Sequence, residues 1–122
     1  MRTILFRGKR TDNGEWETGS LVVVRGGCSD ERVFIADKMT GYHTPVIPDT
    51  IGQYIGLTDK NGVKIFEGDI VECSRLDESA RVVWHDRCLT GWLMSYGDNR
   101  LFMSQDYVYK IIGNIHDKGG DT

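Results

Sequence analysis

Glycine supplies 15 of the 122 residues and proline only 2, and this imbalance constrains the fold more than any other feature. Turns must form mainly through residues that tolerate positive φ rather than through rigid rings. Between the glycines lie short β-branched and aromatic segments. They predict strands at Thr3–Arg7, Glu15–Arg25, Arg32–Ala36, Gln53–Leu57, Asp69–Ser74, Ala80–His85, Gly91–Tyr96 and Tyr107–Ile115. Asn13-Gly14, Asn61-Gly62 and Asp98-Asn99 mark tight turns, the Asn-Gly pairs suiting type I′. No window of twelve residues carries an apolar stripe of helical period, and Met103–Tyr107 offers about one helical turn. The expected class is mainly β, built as a small barrel or sandwich.

The chain also matches itself. Asn13-Gly14 lies over Asn61-Gly62 at an offset of 48, and Glu17–Val22 over Phe66–Val71 at 49. Arg32–Lys38 lies over Arg81–Arg87 at 49, and Thr40-Gly41-Tyr42 over Thr90-Gly91-Trp92 at 50. Ile55-Gly56 then meets Ile112-Gly113. The order holds across five blocks, as a duplication with insertions produces. A sheet of about 50 residues cannot cover both its faces alone. The expectation is two related SH3-like halves, 1–60 and 61–122, packed as one compact unit. Its expected core comprises Ile4, Phe6, Leu21, Val23, Val33, Ile35, Ile55, Leu57, Ile70, Val82, Trp84, Leu93, Ile112 and Ile115.

With 15 basic and 18 acidic residues the net charge is −3, so bulk charge gives no pull toward nucleic acid or anionic membrane. The first apolar run is too short for a signal peptide, and Leu21–Val24 is far too short for a membrane span. Cys28, Cys73 and Cys88 are odd in number and widely spaced, which fits reduced thiols. The expected location is the cytoplasm.

The segment Val46–Leu57, continuing through Thr58-Asp59-Lys60-Asn61-Gly62 to Ile65–Val71, carries a resemblance together with Phe6-Arg7-Gly8-Lys9 and Ile112-Gly113-Asn114-Ile115. Over about residues 2–118 the chain resembles the YopX family of phage and prophage proteins. The resemblance implies a mainly β protein encoded by a phage or prophage and acting in a bacterial host cell. It implies no molecular function and carries over no site residue.

Three chemistries compete on the residues themselves. Cys73, His85 and Cys88 offer three zinc ligands, but the spacing is unusual and the fourth must come from Asp86, His43 or His116. Packing thiols and a strand histidine explain them as well, so no metal and no cofactor are expected. Glu67-Gly68-Asp69 and His85-Asp86 are the densest acid–base groupings, yet turn hydrogen bonds account for the first, and no nucleophile motif is present. No enzyme is expected. Nucleic-acid binding rests on Arg2, Arg7, Lys9 and Arg10, followed by acids from Asp12 onward. Strand alternation puts Arg7 and Lys9 on one face, with Trp16 and Tyr42 as stacking platforms. The candidate nucleic-acid site is Arg7, Lys9, Arg10 and Trp16. The leading expectation is instead a non-enzymatic interaction module that binds a protein partner or itself through strand edges and exposed aromatics. His43–Pro48, extended by two prolines, suits strand addition, or else serves as a connector crossing the core.

Overall fold

The computed structural model describes residues 4–26, 31–85 and 91–117, and every structural statement below concerns these. Eleven strands are present among them: β1 (Phe6–Lys9), β2 (Trp16–Arg25), β3 (Glu31–Ala36), β4 (His43–Pro45), β5 (Gly52–Thr58), β6 (Lys64–Phe66), β7 (Asp69–Cys73), β8 (Ala80–His85), β9 (Gly91–Tyr96), β10 (Asn99–Phe102) and β11 (Tyr109–Asn114). The one helical element is a single 3-10 turn at Pro48–Thr50. Met103–Tyr107 is an irregular turn rather than helix. No helix is long and apolar enough to cross a membrane.

The chain is thus mainly β, in two antiparallel sheets ordered β4-β3-β2-β1-β5-β6 and β10-β9-β8-β7-β11. No described pairing closes either sheet on itself. Two compact units divide at Tyr54/Ile55, inside β5. In each unit a four-strand meander is followed by a strand that pairs with the meander's first strand, β5 with β1 and β11 with β7.

Sequence alternation located the long strands but not three short ones. β4, β6 and β10 have three or four residues each, too few for a period to register, and pairing with a neighbour defines them. The two-residue hairpin turn falls on Gly97-Asp98, one residue before the expected Asp98-Asn99, because Tyr96 pairs with Asn99. Gly97 provides its positive φ of 57°. The Asn13-Gly14 connection is longer than a type I′ loop. Lys9 pairs with Trp16 across six intervening residues, and Gly14 donates to the Arg10 carbonyl.

Unit 1 packs Val33, Ile35 and Val46 with Phe6, Leu21 and Ile51. Two glycines allow this close approach. A Cβ at Gly19 would sit 2.1 Å from the Ala36 carbonyl oxygen, and one at Gly8 would sit 3.0 Å from Val46 Cβ. Unit 2 buries Ile65, Val71, Cys73, Ala80, Val82, Met94 and Tyr109. Five expected core residues are instead exposed: Ile4, Val23, Trp84, Ile112 and Ile115. Ile112 faces out because regular alternation runs inward at Tyr109 and Ile111; the bulge between Ile111 and Gly113 then shifts the phase, so that Asn114 is buried and Ile115 exposed. In β7 the inward phase falls on Val71, opposite Ala80 and Ile111, leaving Ile70 only half-buried. Trp84 has the inward phase but lies toward the end of β8, where it meets Trp92 edge to face at 4.8 Å.

Candidate functional site

In β1 the side chains alternate, so Gly8 faces the Val46–Ile51 core and Arg7 and Lys9 face the other way. Antiparallel register sets Lys9 opposite Trp16 and Arg7 opposite Thr18, on the same outer face. The indole thereby receives both cations. The Arg7 guanidinium carbon stands 4.2 Å from its ring centroid, and Lys9 Nζ stands 5.3 Å away. Each contact is worth about 0.5–1 kcal/mol at an exposed site, more where water is excluded.

Arg10 does not join them. Its guanidinium donates through Nε and one terminal nitrogen to Asp12, each at 2.9 Å, and through the other to Glu17 at 3.0 Å. Glu17 pairs with Gly8, so this contact lies on the phase opposite Arg7 and Lys9. Hydrogen bonds to Asp12 and Glu17 raise the Arg10 pKa, and the Arg10 hydrogen bond lowers that of Asp12. Of the four residues expected to form one basic site, three come together and the fourth balances two acids. Tyr42, the other expected stacking platform, stands exposed in the β3–β4 connection.

The acid–base candidates are structural. Asp69, 1% exposed, accepts from the Phe66 N–H at 2.8 Å and from Asn114 Nδ2 at 3.1 Å. Asp59 in the β5–β6 turn accepts from the N–H groups of Asn61, Val63 and Ile111. Burial alone would push its pKa up, but those three donors outweigh it and hold the carboxyl below its ordinary value. The distinctive Thr58–Gly62 block therefore owes part of its character to one loop clamp. Cys73 is a free, buried thiol in the unit 2 core. Cys28, Asp86, Cys88 and the side chain of His85 lie outside the described residues, and no metal-binding group of three or more ligands occurs within them.

Sequence reasoning placed His43–Pro48 as a strand edge or a core-crossing connector, and the segment contains both. His43–Pro45 is the edge strand β4, paired with β3. Val46 then turns inward, is buried, and bridges to Arg10, while the Ile47 N–H donates to the Lys9 carbonyl. Thr50 fixes the following 3-10 turn by donating to the Ile47 carbonyl and accepting from the Lys9 N–H. Where the chain leaves β3 it opens a groove of about 280 Å³ lined by Thr11, Arg32, Phe34, Pro45, Val46 and Pro48, among others. These residues come from three separate segments, and only the two prolines gave a signal in the sequence.

These features define a mainly β protein of two antiparallel sheets, with a cation–aromatic cluster on one outer face and a groove at one sheet edge. Residues 5–120 match the family model described as YopX protein, and the chain belongs to the YopX family. A solved structure titled "Crystal structure of protein EF1440 from Enterococcus faecalis" is similar at a TM-score of 0.58 and 22% identity. The match covers 98% of this chain and 97% of that one, and at this identity it shows the fold. No curated protein matches.

Proposed function

We propose that the protein is a non-enzymatic interaction module that associates with a second copy of itself. One observation carries the reading. Val23 and Val24 are consecutive in β2, so they point to opposite faces, yet they are 45% and 48% exposed. The β2–β3 ladder still runs there, pairing Val23 with Val33 and Val24 with Arg32. A two-stranded ribbon with apolar side chains bare on both faces is marginal in water and gains by being covered. Two ribbons of identical sequence can lie valine against valine about a two-fold axis, the contact geometry of most homo-oligomers. The test is light scattering over a wide concentration range, comparing the wild type with Val23→Glu/Val24→Lys. The wild type should rise from 13.8 kDa toward twice that mass, and the variant should stay monomeric. A wild type that remains monomeric throughout, or a variant that associates equally, overturns the reading.

The Arg7–Trp16–Lys9 cluster favours a second reading, in which the outer face of β1 and β2 binds single-stranded nucleic acid by stacking and phosphate contact. Two phosphate contacts would give a log–log salt slope of about −1.4. Absence of binding at low salt removes this alternative. The strand order shared by the two units supports reading each as an SH3-like barrel and the pair as a duplication. Family membership supports a phage or prophage source and action in the host cytoplasm.

A further inference from the structure

We infer that the groove beside β4 docks the C-terminal end of a partner peptide, taking its apolar last side chain and its free carboxylate. The groove exists because β4 stops at Pro45. The Val46 N–H still donates to the Val33 carbonyl, but the chain then leaves β3 and crosses to the end of β1, where the Thr11 N–H donates to the Pro45 carbonyl. Phe34, Pro45, Val46 and Pro48 make its walls apolar.

Arg32 is the one charged residue among those lining the groove. It is exposed, and no described ion pair or hydrogen bond involves its guanidinium. A guanidinium beside an apolar slot complements a carboxylate attached to an apolar group, which it can hold through two parallel hydrogen bonds. The Thr11 hydroxyl adds a polar group at the same site.

Two features select a peptide terminus over other acidic ligands. At about 280 Å³ the groove lies at the floor of the range for small-molecule pockets, about 300–1,000 Å³. It is open to solvent, so a free small acid would leave much of its surface in water, whereas a peptide can continue over the neighbouring surface. Strand addition is also blocked here, since Pro45 and Pro48 have no N–H to give an incoming backbone. Specificity then falls to one side chain and the terminal charge. The groove adjoins the valine ribbon, since Arg32 pairs with Val24 and Val33 with Val23, but the two proposals have separate readouts, molecular mass for the ribbon and peptide-dependent amide shifts for the groove.

The test is an amide-resolved NMR titration with three probes: an acetylated Gly-Ser-Gly-Phe peptide with a free C-terminus, the same peptide amidated, and N-acetyl-phenylalanine. The free-acid peptide should shift the Thr11, Phe34 and Val46 amides. Amidation, or the substitution Arg32→Gln, should weaken binding about tenfold or more, the effect of losing a charged hydrogen bond. Phe34→Ala should weaken it while Arg32 remains in place. No shift at these amides, or equal binding by acid and amide, overturns the inference. If N-acetyl-phenylalanine binds as tightly as the peptide, the occupant is a small acid and the peptide assignment fails.

Discussion

Replacing Tyr109 with Phe isolates one hydroxyl in the core of unit 2. The residue is 2% exposed and its ring packs edge to face with Tyr107. Its hydroxyl donates to the Ser104 carbonyl at 2.9 Å and accepts from the Ser104 N–H at 2.8 Å, pinning the β10–β11 connection to the core. Phenylalanine keeps the buried ring and opens no cavity, so the cost is that of two hydrogen bonds. At about 0.5–1.5 kcal/mol net each, the range is about 1–3 kcal/mol. Ser104 is only partly buried, so water reaches its freed groups and the expected loss is about 1–2 kcal/mol. In urea unfolding this lowers the midpoint by about 0.5–1 M.

The same variant has a pH signature. Burial pushes the Tyr109 phenol above its ordinary value, against the lowering effect of the Ser104 N–H. Below about pH 10 both folded and unfolded tyrosine hold their proton, and the full contribution is present. As pH rises further the unfolded chain releases its proton first, so the advantage over Tyr109→Phe shrinks and is lost through the folded pKa. A variant as stable as the wild type at neutral pH, with the same alkaline limb, would refute the reasoning.

Two further outcomes follow from the packing. Val71→Ala, at a fully buried position, should cost about 2 kcal/mol, whereas Ile112→Ala, on the outward phase of β11, should cost under about 0.5; urea unfolding ranks them, and the reverse order would disprove the assigned phase. Asp59 has a depressed pKa, so its contribution is present above the unfolded carboxyl value and lost as pH falls through the folded one. Acid titration of stability should therefore show a flatter limb for Asp59→Asn than for the wild type, and identical limbs would show that the clamp does not depend on charge.

Much of the fold was legible because alternation in Val- and Ile-rich runs survives as strand. Arg32–Ala36, Ala80–His85 and Gly91–Tyr96 were placed to within a residue. Phase was less legible. A bulge at Ile111/Gly113 reverses inside and outside without leaving a mark in composition, and β7 offers Ile70 and Val71 as equally apolar neighbours. Of the candidate basic site, Arg7, Lys9 and Trp16 were readable because the strand period puts Arg7 and Lys9 on one face, opposite which the antiparallel return sets Trp16. Arg10 was not, since its fate depends on Asp12 and Glu17 curling back to it. The groove was almost invisible, because its lining comes from residues 11, 32–34 and 45–48.

The sequence by itself determined the strand-forming segments, the positive-φ turns at Gly14 and Gly62, and the exclusion of long helix. Those are local properties, set by backbone freedom and by side-chain period over a few residues. Tertiary structure alone decided which apolar side chains are covered, that Arg10 turns from Trp16 to Asp12 and Glu17, and where β4 leaves its neighbour to open a groove. Each of these depends on distant segments meeting in a register that no short window contains.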